Sequence, residues 1–375
     1  MIGVGQGNNS NIIDLPNKKE EKIDISSSQL YVIDTSAIDT SFQEEISKSA
    51  VMSLPYPIIF IHGLNGTGES WSYLCSYYNA HCNWSWGGEI EFCLEMYDSP
   101  GVRQDKCDLL LDVHRFTSNV PSADYYRIEF DCNSSGNCHI TNGSANASLY
   151  NSNQAAVIKQ GKAIGIAIDK VLNATGKNKV ILVGHSMGGL AAREYIQNSS
   201  HWLTGSHRVA KLVTSGTPHS GSNFSGFGTG VFLNFDEESE AVRDLRKWYY
   251  YSYDWGVYLW GGLEYQNGST HMDDNINWAN QDFRNVDVNC NEVTLESITA
   301  LNSKSMPLDI DYACIYGDSD GIVDNSSSNL YNVYSYLTRL ELMKCTGCAH
   351  SEYEPANTCL LCNVDIEPRY RTFKA

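Results

Sequence analysis

Ser186 stands in Gly184-His185-Ser186-Met187-Gly188, with Gly189 behind it. Small residues two before and two after a serine let the chain pass close to itself, as a sharp strand-to-helix turn requires. The hydroxyl would then be held clear of the sheet, at the positive end of a helix. A serine hydroxyl is a poor nucleophile until a base takes its proton, and that base must be oriented by a third group. Of ten histidines only His350 follows residue 320, in Cys345-Thr346-Gly347-Cys348-Ala349-His350-Ser351, and it is the expected base. His185 adjoins the serine, so its ring must point elsewhere, and His62 and His219 are expected to be structural. Asp318, Asp320 and Asp324 all fall where an orienting carboxylate should. Asp320, directly before Gly321-Ile322-Val323, is preferred, with Asp318 and Asp324 as rivals. Such a set transfers the serine proton to the histidine, attacks a carbonyl carbon and passes through a covalent acyl intermediate.

The elements that must position these residues are legible as apolar runs. Val180–Val183 reads as a strand buried on both faces, and Leu190–Tyr195 as the helix after the turn. Tyr56–Ile61 is a second buried strand, ending in His62-Gly63-Leu64 and a small-residue loop, Asn65-Gly66-Thr67-Gly68. A loop of that kind can aim backbone N–H groups at a developing oxyanion. Asp124–Phe130 reads as a further strand, and apolar residues recur at helical spacing from Ala155 to Leu172, ending near Gly176. Val209–Thr214 and Tyr312–Tyr316 are buried strands, and Thr338–Met343 is a late one. This alternation predicts an α/β fold with a mostly parallel sheet, right-handed crossovers and helices on both faces.

Residues 1–50 read as a polar extension with a Lys-Lys-Glu-Glu-Lys cluster, and 51–375 as one domain interrupted twice. The first interruption, 71–120, is cysteine-rich and expected to be stapled by disulfides; the second, 223–300, is expected to be a cap or lid. The cap holds Trp248-Tyr249-Tyr250-Tyr251-Ser252-Tyr253-Asp254-Trp255, with Tyr258 and Trp260 behind. These aromatics either pack the cap onto the body or form an apolar inner face that meets an acyl chain or a lipid interface.

The net charge of −18 argues against nucleic acid and against electrostatic docking on an anionic membrane. Twelve cysteines and eleven Asn-x-Ser/Thr sequons point to a secreted chain or a secretory lumen, although no signal peptide is visible in the first thirty residues. Cys345, Cys348, Cys359 and Cys362 have zinc-ribbon spacing. The preferred reading is two disulfides holding the loop that carries His350, because the other eight cysteines favour bridges. No metal and no cofactor are expected.

The chain resembles the α/β-hydrolases, and within them the triacylglycerol lipases and GPI inositol-deacylase-like lipases. The resemblance rests on His62-Gly63-Leu64, the Gly-His-Ser-Met-Gly-Gly turn, Leu212–Ser222 with its Thr-Pro-His-Ser-Gly-Ser, and Asp320-Gly321-Ile322-Val323, and covers about 57–222 and 312–350. It implies Ser186 as nucleophile, Asp320 as acid, His350 as base, and the backbone N–H groups of Leu64 and Met187 as the oxyanion hole. An ester substrate, lipid or otherwise, follows from it. The cysteine-rich insertion, the aromatic cap and the C-terminal tail depart from the family pattern, so the resemblance speaks to chemistry more than to substrate. The rival readings are a non-catalytic binding protein on the same fold and an esterase or GPI-type deacylase acting on another ester.

Overall fold

The computed structural model describes residues 54–92, 94, 96–97, 120–130, 140–141, 154–222, 240–245, 257–260, 262–263, 289, 297–317, 320 and 322–345. Its centre is a seven-stranded sheet in which every pairing is parallel. The strands are β1 (Ile58–Ile61), β2 (Trp86–Glu91), β3 (Tyr125–Glu129), β4 (Val180–His185), β5 (Val209–Ser215), β6 (Asp311–Gly317) and β7 (Leu340–Cys345). Their spatial order is β7-β6-β5-β4-β1-β3-β2.

Strand alternation divides the core into two layers. Ile59 and Ile61 of β1, Tyr126 and Ile128 of β3 and Leu182 of β4 face α2 (Val157–Thr175) and α3 (Met187–Gln197) through Ala163, Ile164, Ala167, Ala192 and Tyr195. Ile58, Phe60, Tyr125 and Ile181 face the other way, onto Trp71 and the short α1 (Ser72–Tyr77). The apolar 155–172 run thus forms the predicted helix, and Gly176 ends it at φ 69, a left-handed position that favours glycine.

Two expectations change. The stretch 71–120 is not wholly outside the sheet, since Trp86–Glu91 pairs with β3 as its edge strand. Cys75, Cys82 and Cys314 are free thiols, so the full set of bridges does not hold for them. Cys314 lies buried in β6, donates to the Ser328 carbonyl at 2.9 Å, and has its thiol pushed up to about 11 by burial. Of the cap, the described parts are α4 (Glu240–Leu245), α5 (Val257–Trp260) and the paired residues Gly262–Leu263 and Ser297–Ile298. Trp248 to Trp255, residues 1–50 and the cysteines at 348, 359 and 362 lie outside the described residues. Among the described residues no cluster of three metal-ligating side chains occurs, and no helix is long and apolar enough to cross a membrane.

Candidate functional site

Because the sheet is parallel, the loops after β1, β4, β5, β6 and β7 all leave its carboxyl edge, the usual place for a site on such a sheet. Leu64 follows β1, Ser186 follows β4, Thr217–Ser222 follows β5 and Asp320 follows β6. His350 lies outside the described residues; β7, the strand before it, ends at Cys345. Asp318, the rival acid, is also outside them, while Asp324 is exposed and leads into the short helix Asn325–Ser328.

Ser186 adopts φ 51 and ψ −127, a backbone conformation an L-residue holds only when its surroundings enforce it. The enforcement is visible. Ser186 N–H donates to the Ser215 carbonyl at 2.8 Å, fixing the turn to β5. A methyl group on Gly184 would lie 2.6 Å from the Gly189 backbone, and one on Gly188 would lie 2.4 Å from the His62 carbonyl oxygen. A methyl group on Gly63 would lie 2.7 Å from Ser186 Cβ and 3.3 Å from its Oγ. The glycines of the elbow therefore answer to the close approach that their spacing predicted, and the His62-Gly63 loop lies directly against the serine.

That loop is held by His62 and Glu129. Phe130 N–H donates to His62 Nε2 at 3.0 Å, which leaves the proton on Nδ1, from where it is donated to the Gly63 carbonyl at 2.9 Å. Gly66 N–H donates to the same carbonyl at 3.1 Å. A peptide unit is planar, so fixing the Gly63 carbonyl fixes the opposite direction of the Leu64 N–H. Glu129 accepts from Gly68 N–H at 2.6 Å and lies 3.3 Å from His62 Nε2. His62 is thus structural, as expected, whereas Glu129 carried no sequence signal because its partners are far away in the chain. Met187 is the first residue of α3 and is fully buried. Amides in the first turn of a helix lack an intrahelical acceptor, and among the described residues neither the Leu64 nor the Met187 N–H is tied up by another group.

Two other histidines, His185 and His219, are occupied elsewhere. The His185 ring meets Trp71 edge-on at 6.4 Å between centroids. His219 is fully buried, with Nε2 3.2 Å from Thr214 Oγ1 and Nδ1 3.3 Å from Arg193. Burial and the Arg193 charge push its pKa well below 6.5, so it stays neutral. Asp320 Oδ1 accepts from the N–H groups of Ile322 and Val323 at 2.9 and 3.0 Å. One carboxylate oxygen thereby fixes Asp320 to its own loop, a turn contact common for aspartate. Ser222 Oγ donates to the Ile322 carbonyl and Ser327 Oγ to the Gly221 carbonyl, so this loop is stitched to the one after β5.

Residues 56–254 match the family described as alpha/beta hydrolase fold. The chain belongs to that family. Over 68 residues this chain is 43% identical to a triacylglycerol lipase of Pseudarthrobacter phenanthrenivorans and to another of Burkholderia plantarii. In each case the match covers 18% of this chain, and it spans less than a fifth of the relative, 19% and 17%. Among solved structures, the mature lipase BlEst2 of Bacillus licheniformis is 14% identical. That match covers 73% of this chain and 79% of that one, at a TM-score of 0.36.

Proposed function

We propose that this hydrolase is a serine carboxylic-ester hydrolase in which Ser186 is the nucleophile, His350 the base, Asp320 the orienting acid, and the Leu64 and Met187 N–H groups the oxyanion hole. The observation that carries the reading is the enforced backbone of Ser186 between β4 and α3, with Gly63 against its side chain. Nothing in a core requires a serine at φ 51, whereas an exposed nucleophile beside two backbone donors does. His350 deprotonates Ser186, the alkoxide attacks the ester carbonyl, and the alcohol leaves as His350 returns the proton. Water, activated by the same imidazole, then releases the acid from the acyl-enzyme. No cofactor enters this cycle.

Acylglycerol-type esters are the proposed substrate class. The lipase names of the two 43% identical relatives and the aromatic 248–260 segment support it. The sequons support export to a secretory compartment, a support to which three free thiols do not add. The test is Ser186→Ala, expected to lower kcat on p-nitrophenyl esters by at least ~10⁴-fold while leaving the urea midpoint within error. A fluorophosphonate should label the wild type at Ser186 and not the variant. Substantial activity in purified Ser186→Ala, or a folded wild type that ignores the label, would return the chain to the binding-protein reading. An esterase or GPI-type deacylase would instead show itself by indifference to acyl length in a chain-length series.

A further inference from the structure

The side chain of Met187 is packed from a part of the chain that sequence reading assigned to the cap. It shares one buried cluster with Ala156, Val157, Leu190, Ala241, Leu245 and Tyr258. Gln160, in the first turn of α2, donates to Met187 Sδ at 3.6 Å. That first turn has no cap of its own, because the residue before it is Ala156. Two carboxylates from α4 take the place of a cap. Glu240 accepts from Ala156 N–H at 2.8 Å and Asp244 from Val157 N–H at 2.8 Å, and both side chains are fully buried. Their spacing of four puts them on one face of α4, where negative charge meets the positive end of α2. Glu240 also pairs at 2.9 Å with Lys159, and both side chains are 0% exposed. One helix along, the Tyr258 hydroxyl of α5 donates to Glu194, a fully buried carboxylate on the elbow helix α3.

We propose that α4 and α5 are a fixed brace rather than a moving lid, and that Glu240, Asp244 and Tyr258 are positioning residues that hold Met187, and with it the Met187 N–H, in register with Ser186. Swinging these helices away would strand Lys159 as a buried cation and take a donor from Glu194. It would also orphan two amides at the start of α2. The brace acts through contacts with α2 and α3 and touches no substrate. It rests on the reading of Ser186 and Met187 given above.

The experiment uses the full chain with Asp244→Ala, Asp244→Asn and Tyr258→Phe, each checked for folding by circular dichroism and urea unfolding. kcat and KM are measured on p-nitrophenyl acetate and p-nitrophenyl decanoate. Loss of a whole oxyanion donor costs ~10²–10³ in kcat, so a displaced one should cost at least about tenfold in Asp244→Ala. KM for acetate should stay within about twofold, because an interaction made only in the transition state is what weakens. Asp244→Asn should recover most of the loss, since its amide oxygen still accepts from Val157 N–H. Tyr258→Phe should lower acetate kcat a few-fold. A folded Asp244→Ala with wild-type kcat on acetate overturns the brace. So does a loss confined to decanoate, which would make α4 and α5 the wall of an acyl site. If Asp244→Ala does not fold, Tyr258→Phe decides, and an unchanged acetate kcat in it overturns the proposal. A wild type that neither hydrolyses acetate nor reacts with a fluorophosphonate sinks the serine-hydrolase reading and the brace together. An active wild type matched by its variants sinks the brace alone.

Discussion

At the elbow, position is set by what is missing: Gly184, Gly188 and Gly63 leave no room for a methyl group against neighbouring atoms. At the root of the 240–260 segment, position is set by what is present, namely the buried carboxylates of Glu240 and Asp244, answered by Lys159 and two backbone amides, and that of Glu194, which accepts from the Tyr258 hydroxyl. Met187 belongs to both, opening the elbow helix and packing under the brace. The two constructions should fail differently. A sterically tight site fails when an atom is added. A charge-built site fails when a partner is removed, and an apolar replacement of both partners is tolerated better than loss of one.

The largest effect is expected from Gly188→Ala, whose methyl would meet backbone oxygens of His62 and Ile61 at 2.4 and 2.6 Å. Backbone cannot step aside as a side chain can, so the loss should reach ~3 kcal/mol or more, read as a collapse in soluble yield or urea midpoint. A Gly188→Ala protein of wild-type stability would show that the elbow is not sterically closed. Next comes Lys159→Met, which leaves Glu240 buried without its cation and should cost ~3–5 kcal/mol. Adding Glu240→Gln should restore part of that, and a double variant no better than the single would break the charge-built half of the comparison.

His219 sharpens the same half through pH. Its folded pKa lies well below 6.5, held there by burial and by Arg193. Below pH 6.5 the unfolded chain therefore takes up a proton that the folded protein refuses, and stability falls with pH until the folded pKa is reached. The slope from this residue is at most about 1.4 kcal/mol per pH unit. Unfolding free energies between pH 7 and 5 should fall less steeply in His219→Gln than in the wild type; equal slopes would refute the assignment. Gly176→Ala is the smallest effect and the control for the glycines. No atom lies within 4 Å of its added methyl, so only the left-handed φ of 69 resists it, at roughly 1 kcal/mol.

The elbow and the strands under it were legible because their physics is local. Val180–Val183 is apolar throughout, Val209–Thr214 is apolar but for Lys211 and Thr214, and the glycine spacing around Ser186 states the turn. The edge strand β2 was not legible. Trp86-Gly87-Gly88-Glu89 offers no β-branched run, the register shifts between Trp86 and Glu89, and Gly87 is small because the Tyr126 ring lies against it. The brace was hidden for another reason. Glu240, Glu237 and Glu238 look alike in sequence, and only the distant amides at 156 and 157 explain why Glu240 is buried. Cysteine parity misled at Cys314, which serves the interior of β6 as a small apolar residue.

The strand order also bears on how the chain acquires its shape as it emerges from the ribosome. Among the described strands β1 is the first made, yet its two neighbours are β3 and β4, so Ile58 must wait for Tyr125 on one side and Ile181 on the other. Until residue 185 has been made, the most apolar strand of the sheet has an unsatisfied edge where β4 belongs. Such an edge is a template for pairing with another nascent chain. Nascent chains stopped before β4 should accordingly engage chaperones far more than chains stopped just after α3, because the elbow strand that brings Ser186 also closes the exposed side of β1.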